Sequence, residues 1–334
     1  MKKCCFIIPY FGKLPNYFQL FLKSCEYNPT FNWIVFTDDK TGFHYPDNVK
    51  RVEMTFLELR DLVQSKFDFP ISLERPYKLC DYKPAYGYIF EDYLQEFGFW
   101  GHCDTDVLMG DLSHFLTKDF LNGYDKVFCL GHMTIYRNSF ENNRVFMKTV
   151  RDMSLYKRAF STDSIVTFDE EWRDENNVNR IFLENNKKIY QKDLSLNFSI
   201  YHTRFRKITF VGFDTKNDGH GYLTEQYQRS LCVWDQGHVY RYVLDNDKLK
   251  REEYIYIHLQ KRKMVYDSSI IELESIKIVP NRFLPIDNYP IDLDSFKKEK
   301  VKYSCSHYYS VILKPKIERK IKNVFHIFKM NGND

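Results

Sequence analysis

Two carboxylates two residues apart, Asp104 and Asp106, follow the apolar run Phe97-Gly98-Phe99-Trp100-Gly101-His102-Cys103 and precede Val107-Leu108-Met109-Gly110-Asp111-Leu112. An i, i+2 pair just past a strand can converge on one hard divalent cation. A cation there can neutralise a diphosphate and stabilise the charge left on a departing nucleotide. A solvated acidic turn would not need apolar flanks on both sides. Three other clusters hold residue types suited to transfer chemistry. Tyr77-Lys78-Leu79-Cys80-Asp81-Tyr82-Lys83-Pro84 is dense in charge just before a helix, where lysines and free N–H groups suit phosphate. A plain solvated helix start has the same composition. Gly131-His132-Met133-Thr134 could line a sugar pocket, because glycine lets a ligand approach the backbone. Phe168-Asp169-Glu170-Glu171-Trp172 sets acids beside aromatics, which raises a carboxylate pKa toward use as a general base. Asp169 and Glu170 are the candidates for that role. An inverting transfer needs such a base and a retaining one does not, so the stereochemistry stays open.

These clusters need a scaffold that brings them together. Cys4-Cys5-Phe6-Ile7-Ile8 is short and wholly apolar, as a fully buried strand is, and it runs into the loop Pro9-Tyr10-Phe11-Gly12. Phe18, Phe21, Leu22 and Cys25 form one helical face. Trp33-Ile34-Val35-Phe36 is a second buried strand ending in Thr37-Asp38-Asp39, and Val49 to Met54 a third. Thr55 and Glu58 are spaced as a capping box. Pro84 fits the first turn of a helix carrying Ala85, Ile89, Tyr93 and Leu94. Further strands are expected at Val127–Leu130, Tyr254–Ile257 and Ile276–Val279. Strands alternating with helices predict an α/β fold with a mostly parallel sheet flanked by helices. Ligands bind such sheets at the carboxyl ends of the strands, where Thr37-Asp38-Asp39 and Asp104-Thr105-Asp106 both fall. Neither a Gly-rich dinucleotide fingerprint nor a P-loop follows any strand.

With these residues the chain resembles the DxD-containing GT-A glycosyltransferases of bacterial capsular polysaccharide and O-antigen synthesis. The apolar strand, the DxD pair and Val107-Leu108-Met109-Gly110-Asp111-Leu112 together look like the metal-binding segment of the retaining family that includes glycogenin and lipopolysaccharide galactosyltransferases. The likeness covers roughly residues 4–265, with the DxD segment its specific part. It implies a Rossmann-like GT-A catalytic domain at 1–270 and a C-terminal extension at 271–334. Asp104 and Asp106 would hold Mn²⁺ or Mg²⁺ against the diphosphate of a UDP-sugar. Pro9 and Tyr10 would belong to the nucleotide-binding start of the fold, and Asp38 or Asp39 would lie near the uracil and ribose. Lys78, Asp81 and Lys83 would supply donor contacts ahead of the helix. The family carries a late histidine as third metal ligand, followed by a glycine and a lysine on the diphosphate. His258 fits that place, although a hydrogen-bonded structural imidazole would read the same. Lys263 comes one residue early, and Lys261 stands where the glycine would be. The activity implied is transfer of a hexose, galactose-type, to a hydroxyl of a glycan, lipid-linked in surface polysaccharide synthesis. The alternatives are nucleotidyl transfer, which should show a basic triphosphate loop, and a non-catalytic sugar-binding protein on the same fold.

Composition narrows the partners. Among 334 residues the formal charge is +4. Residues 314–334 carry six basic side chains against Glu318 and Asp334, so the tail holds the whole excess and the body is neutral. A neutral body argues against nucleic acid, which needs a basic face to displace counterions. The eight cysteines form no CxxC pair, so no zinc framework is expected. The apolar start ends at Pro9, too early for a signal peptide, and no run approaches the roughly 18 apolar residues of a spanning helix. A cytoplasmic protein with reduced thiols is expected. In the tail Ile317, Ile321, Val324, Phe325 and Phe328 lie on one helical stripe, flanked by Lys316, Arg319, Lys320 and Lys322. That basic amphipathic helix would dock on anionic headgroups at the inner face of the cell membrane, or pack on the body with a solvated basic face.

Overall fold

A computed structural model describes residues 2–171, 176–212, 221–260, 262–286, 289–299, 301, 313–318 and 320–321. Its centre is β1 (Lys2–Pro9), whose side chains alternate between two cores. Cys5 and Ile7 pack with Phe36, Leu59 and Tyr82 on one face. Cys4, Phe6 and Ile8 pack with Phe18, Phe21 and Trp33 on the other. Burial on both faces is why this strand is a continuous apolar run rather than an alternating one. Parallel neighbours flank it: β2 (Phe31–Thr37), which also pairs with β3 (Val49–Glu53), and β4 (Phe97–Cys103). β6 (Lys126–Leu130), β7 (Met133–Arg137) and β8 (Ile189–Tyr190) complete a seven-stranded sheet of order β3-β2-β1-β4-β7-β6-β8. It is parallel from β3 to β4 and again at β6–β8; only β7 runs against its neighbours.

Helix α1 (Phe18–Glu26) buries Phe18, Phe21, Leu22 and Cys25, the expected face. Helix α2 (Phe56–Ser65) starts with the expected box, in which Glu58 N donates to Thr55 Oγ1 and Thr55 N donates to Glu58 Oε2. The single helix expected from Pro84 to Leu94 is instead broken. α3 (Leu79–Tyr82) is followed by a tight turn at Lys83–Ala85, one α turn at Tyr86–Ile89 and another tight turn at Glu91–Tyr93. Two contacts seat the α turn on its neighbours. Trp100 lies so close to Gly87 that a Cβ there would fall 2.2 Å from the indole. Asn143 Nδ2 also takes the Gly87 carbonyl at 3.1 Å, the group a continuing helix would use.

The second half, together with Val107–Met109, forms two smaller sheets that local patterning only hinted at. One has the order β11-β10-β9-β15-β5, built from β5 (Val107–Met109), β9 (Leu196–Phe198), β10 (Lys207–Phe210), β11 (Tyr222–Thr224) and β15 (Tyr256–His258). The other runs β14-β13-β12-β16-β17, from β12 (Ser230–Asp235), β13 (His238–Asp245), β14 (Lys248–Tyr254), β16 (Ser275–Val279) and β17 (Arg282–Pro285). Trp234 Nε1 donates to Met109 O, which ties this third sheet to β5. In the tail, residues 314–318 and 320–321 are helical, with Ile317 and Ile321 exposed. Arg319, Lys322, Val324, Phe325 and Phe328 lie outside the described residues. Among the described residues no helix is long and apolar enough to cross a membrane.

Candidate active site

The acidic pair sits where β4 leaves the large sheet and β5 enters the second one. Asp104 N donates to His132 O at 3.0 Å, and Leu259 N donates to Asp106 O at 2.9 Å, so both ends of the turn are fixed by backbone. β15 pairs antiparallel with β5, setting His258 opposite Val107, the residue after Asp106. That register brings a residue 152 positions downstream to the pair. One ligand atom from each of Asp104, Asp106 and His258 lies within 4.8 Å of the others. His258 Nε2 is 3.4 Å from Asp106 Oδ1. Burial would lower the His258 pKa, but the Asp106 and Asp104 carboxylates outweigh it and hold the ring above the usual range. Asp106 Oδ1 is buried and accepts no hydrogen bond. Its close polar neighbour is the His258 ring, and a divalent cation between the two would pair with both. Two carboxylates and one imidazole are a donor set that a divalent ion fits.

Lys83 binds this group to a second acidic pair. Its Nζ donates to Asp104 Oδ1 and to Gly131 O, each at 2.8 Å, and lies 3.4 Å from Asp169 Oδ2. Gly131 N donates to Glu170 Oε2 at 3.2 Å. A Cβ at position 131 would come 2.7 Å from Asp169 Oδ2, so glycine is what lets the acids sit against this loop. Burial pushes Asp169 well above the ordinary carboxylate range, with Glu170 adding to the shift and Lys83 opposing it. Glu170 is raised for the same first reason. His132, next to Gly131, lies under His258 with ring centroids 4.4 Å apart, and its Nδ1 is 2.6 Å from the Tyr256 hydroxyl. Burial, reinforced by His258 and Lys83, keeps that imidazole neutral.

These side chains open onto a cleft of about 1630 Å³. Of the residues expected from sequence, Asp104, Asp106, His258, Lys83, Asp169 and Glu170 line it together. Pro9, Tyr10 and Lys263 line it as well. Four others are placed elsewhere. Asp38 Oδ1 accepts Gly12 N at 2.8 Å and Asp39 Oδ2 accepts Leu14 N at 2.7 Å, so both fold the loop after β1 that carries Tyr10. Lys78 and Asp81 are fully buried and pair with each other at 2.7 Å. Lys261 and Trp172 lie outside the described residues.

Sequence patterning did not single out Arg262. It is 3% exposed and lines the cleft, its Nη2 donates to Ser199 O, and its Nε and Nη1 have no partner. Burial lowers its pKa to about 10. Gln260, two residues before it, adopts a positive φ of 54°, and its amide donates to Asn197 Oδ1. This left-handed residue turns the chain back after His258, and no glycine marked it in the sequence.

Residues 6–287 match the model of a family of unknown function, DUF6625, and the chain belongs to that family. No curated protein matches it. Among solved structures, an active-site mutant of LgtC is similar at 9% identity and a TM-score of 0.32, over 58% of this chain and 74% of that one. The galactosyltransferase LgtC in complex with donor and acceptor sugar analogues gives 10% and 0.31, over 58% and 75%. A glycosyltransferase involved in glycosylation of the major capsid of PBCV-1 gives 10% and 0.32, over 59% and 85%. Likenesses this distant leave the site's own geometry to carry the functional reading.

Proposed function

We propose that the chain is a metal-dependent glycosyltransferase of GT-A type that moves a hexose, galactose-type, from a UDP-sugar to a hydroxyl of a glycan. The observation that carries this reading is the convergence of Asp104, Asp106 and His258 at a strand end, inside one cleft with a lysine and two acids. Those three side chains would hold Mn²⁺ or Mg²⁺, which when bound neutralises the donor diphosphate and the charge left on UDP. Lys83 keeps Asp104 in place and adds positive charge beside the leaving group. Pro9 and Tyr10 form the nucleotide end of the cleft, Asp38 and Asp39 act there through the loop they fold, and Lys263 reaches the diphosphate. Asp169 and Glu170 would take the proton of an acceptor hydroxyl, and burial raises both carboxyls, Asp169 to about 8. The acceptor is a lipid-linked glycan of bacterial surface polysaccharide, reached by a C-terminal tail that binds anionic headgroups.

The test is calorimetry of UDP with and without Mn²⁺, followed by UDP release from UDP-galactose. Binding that needs the cation, and turnover that EDTA stops and Mn²⁺ restores, are expected. UDP affinity independent of metal would refute the reading. Cation-dependent UDP binding without turnover on any sugar donor would point to a sugar-binding protein on the same fold.

A further inference from the structure

Seven aromatic side chains are exposed among the described residues, and five of them have a partner. Tyr27 packs edge-on against Trp234 and Tyr93 against Phe36. Arg144 lies over Phe140 and Arg204 over Tyr227. The Tyr289 hydroxyl donates to Asp235. The remaining two, Tyr77 and Tyr201, are 63% and 60% exposed, with no ring, cation or hydroxyl contact among the described residues. Both line the same cleft as the Asp104–Asp106–His258 group. Tyr77 stands on the turn before α3 and Tyr201 in the loop after β9, so two separate elements each offer one bare ring to it.

Water pays no attention to where an exposed ring sits, so scattered tyrosines need no explanation. Two unpartnered ones confined to a functional cleft do. A tyrosine gives a flat apolar face with a polar tip at little entropic cost, because only two side-chain torsions are fixed. That shape matches a pyranose, whose axial C–H groups form an apolar face and whose hydroxyls point outward at the rim. Space agrees with this. Pockets for one small ligand run to about 300–1,000 Å³, and the cleft's 1630 Å³ leaves room beyond one nucleotide sugar.

We infer that Tyr77 and Tyr201 form the acceptor subsite and hold hexose rings of an oligosaccharide by stacking. This rests on the glycosyltransferase reading of the cleft. Full-length protein loaded with UDP and Mn²⁺ should retain at least one oligosaccharide on an array of neutral hexose glycans. Tyr77→Ala and Tyr201→Ala should each weaken that binding about five- to tenfold, the worth of a lost aromatic contact. Tyr77→Phe and Tyr201→Trp should keep it, since the stacking face survives. Melting temperature and Mn²⁺-dependent UDP affinity should not change in any of the four, because neither ring supports the fold. The inference is overturned if the alanine variants retain glycans as the wild type does, if UDP affinity falls in step with glycan affinity, or if the wild type retains no glycan. Tyrosine-dependent glycan binding beside metal-independent UDP binding would instead uphold the subsite and remove the transferase reading.

Discussion

Lys78→Met tests how the acidic wall of the cleft is held. The Lys78 ammonium is 1% exposed and spends all three protons: on Asp81 Oδ2 at 2.7 Å, Ala159 O at 2.8 Å and Ser164 O at 2.7 Å. Asp81 in turn accepts Val166 N at 3.1 Å and Phe168 N at 2.9 Å. The pair therefore clamps residues 159–168, the approach to Asp169 and Glu170, onto the start of α3. Methionine fills the space but leaves a carboxylate buried without its cation and two carbonyls without a donor. Breaking a buried pair from one side costs about 3–5 kcal/mol, and the stranded carbonyls add to it unless water reaches them. At about 2 °C per kcal/mol for a chain of this size, the melting temperature should fall by roughly 6–10 °C. Scanning calorimetry measures that fall, and hydrogen exchange should show faster opening at 159–171. Adding Asp81→Asn should recover part of the loss, since it removes the stranded charge. Below the transition, Mn²⁺-dependent UDP affinity should match the wild type, because Lys78 has no proton left for a phosphate. An unchanged melting temperature would sink the clamp, and lost UDP affinity in the folded variant would put Lys78 on the donor instead.

Asp106→Asn should abolish cation-dependent UDP binding in calorimetry, because it removes one of the three side chains that would hold the ion; a stable variant that still binds Mn²⁺–UDP excludes the site. His258→Ala should weaken Mn²⁺ binding at least about tenfold, whereas a merely structural imidazole would cost stability and leave metal affinity intact. Asp169 has a folded-state pKa raised to about 8 from 3.8, so the native state holds a proton that the unfolded chain releases between those values. Stability in EDTA should therefore fall as pH rises through that window, and urea unfolding of Asp169→Asn should show a flatter profile; parallel profiles would remove the buried-acid assignment. Deleting residues 314–334 should end flotation with anionic liposomes and preserve turnover on a soluble acceptor, and a truncated chain that unfolds would make the tail a packing element.

The parts of the fold and site set by local spacing were legible in the sequence. The apolar runs at 4–8 and 33–36 became the paired central strands, and Thr55–Glu58 became a capping box. The DxD pair fell at a strand end because a chain leaving a buried sheet must turn polar there. What depends on distant contacts was not legible. Lys78 and Lys83 are equivalent by composition, but three short turns of differing pitch send the first into the core and the second into the cleft. The short turn Tyr86–Ile89 lies against Trp100 and Asn143 at Gly87, from strand and turn elements that no helical period could foresee.

The acids show the same limit and its physical cause. Asp38, Asp39, Asp81 and Asp106 all belong to charged turns near strand or helix ends, and nothing in their residue type separates them. The structure separates them by how many donors reach each carboxylate. Backbone N–H groups of Gly12 and Leu14 satisfy Asp38 and Asp39, and those of Val166 and Phe168, with Lys78, satisfy Asp81. An acid so supplied holds the backbone and has little to offer a ligand. Asp106 is tied into the fold through its own carbonyl, so its side chain is left out of the backbone scaffold, with Oδ1 buried and no backbone donor upon it. A carboxylate oxygen in that state is free to take a cation, and His258, 3.4 Å away, is its neighbour and would share one.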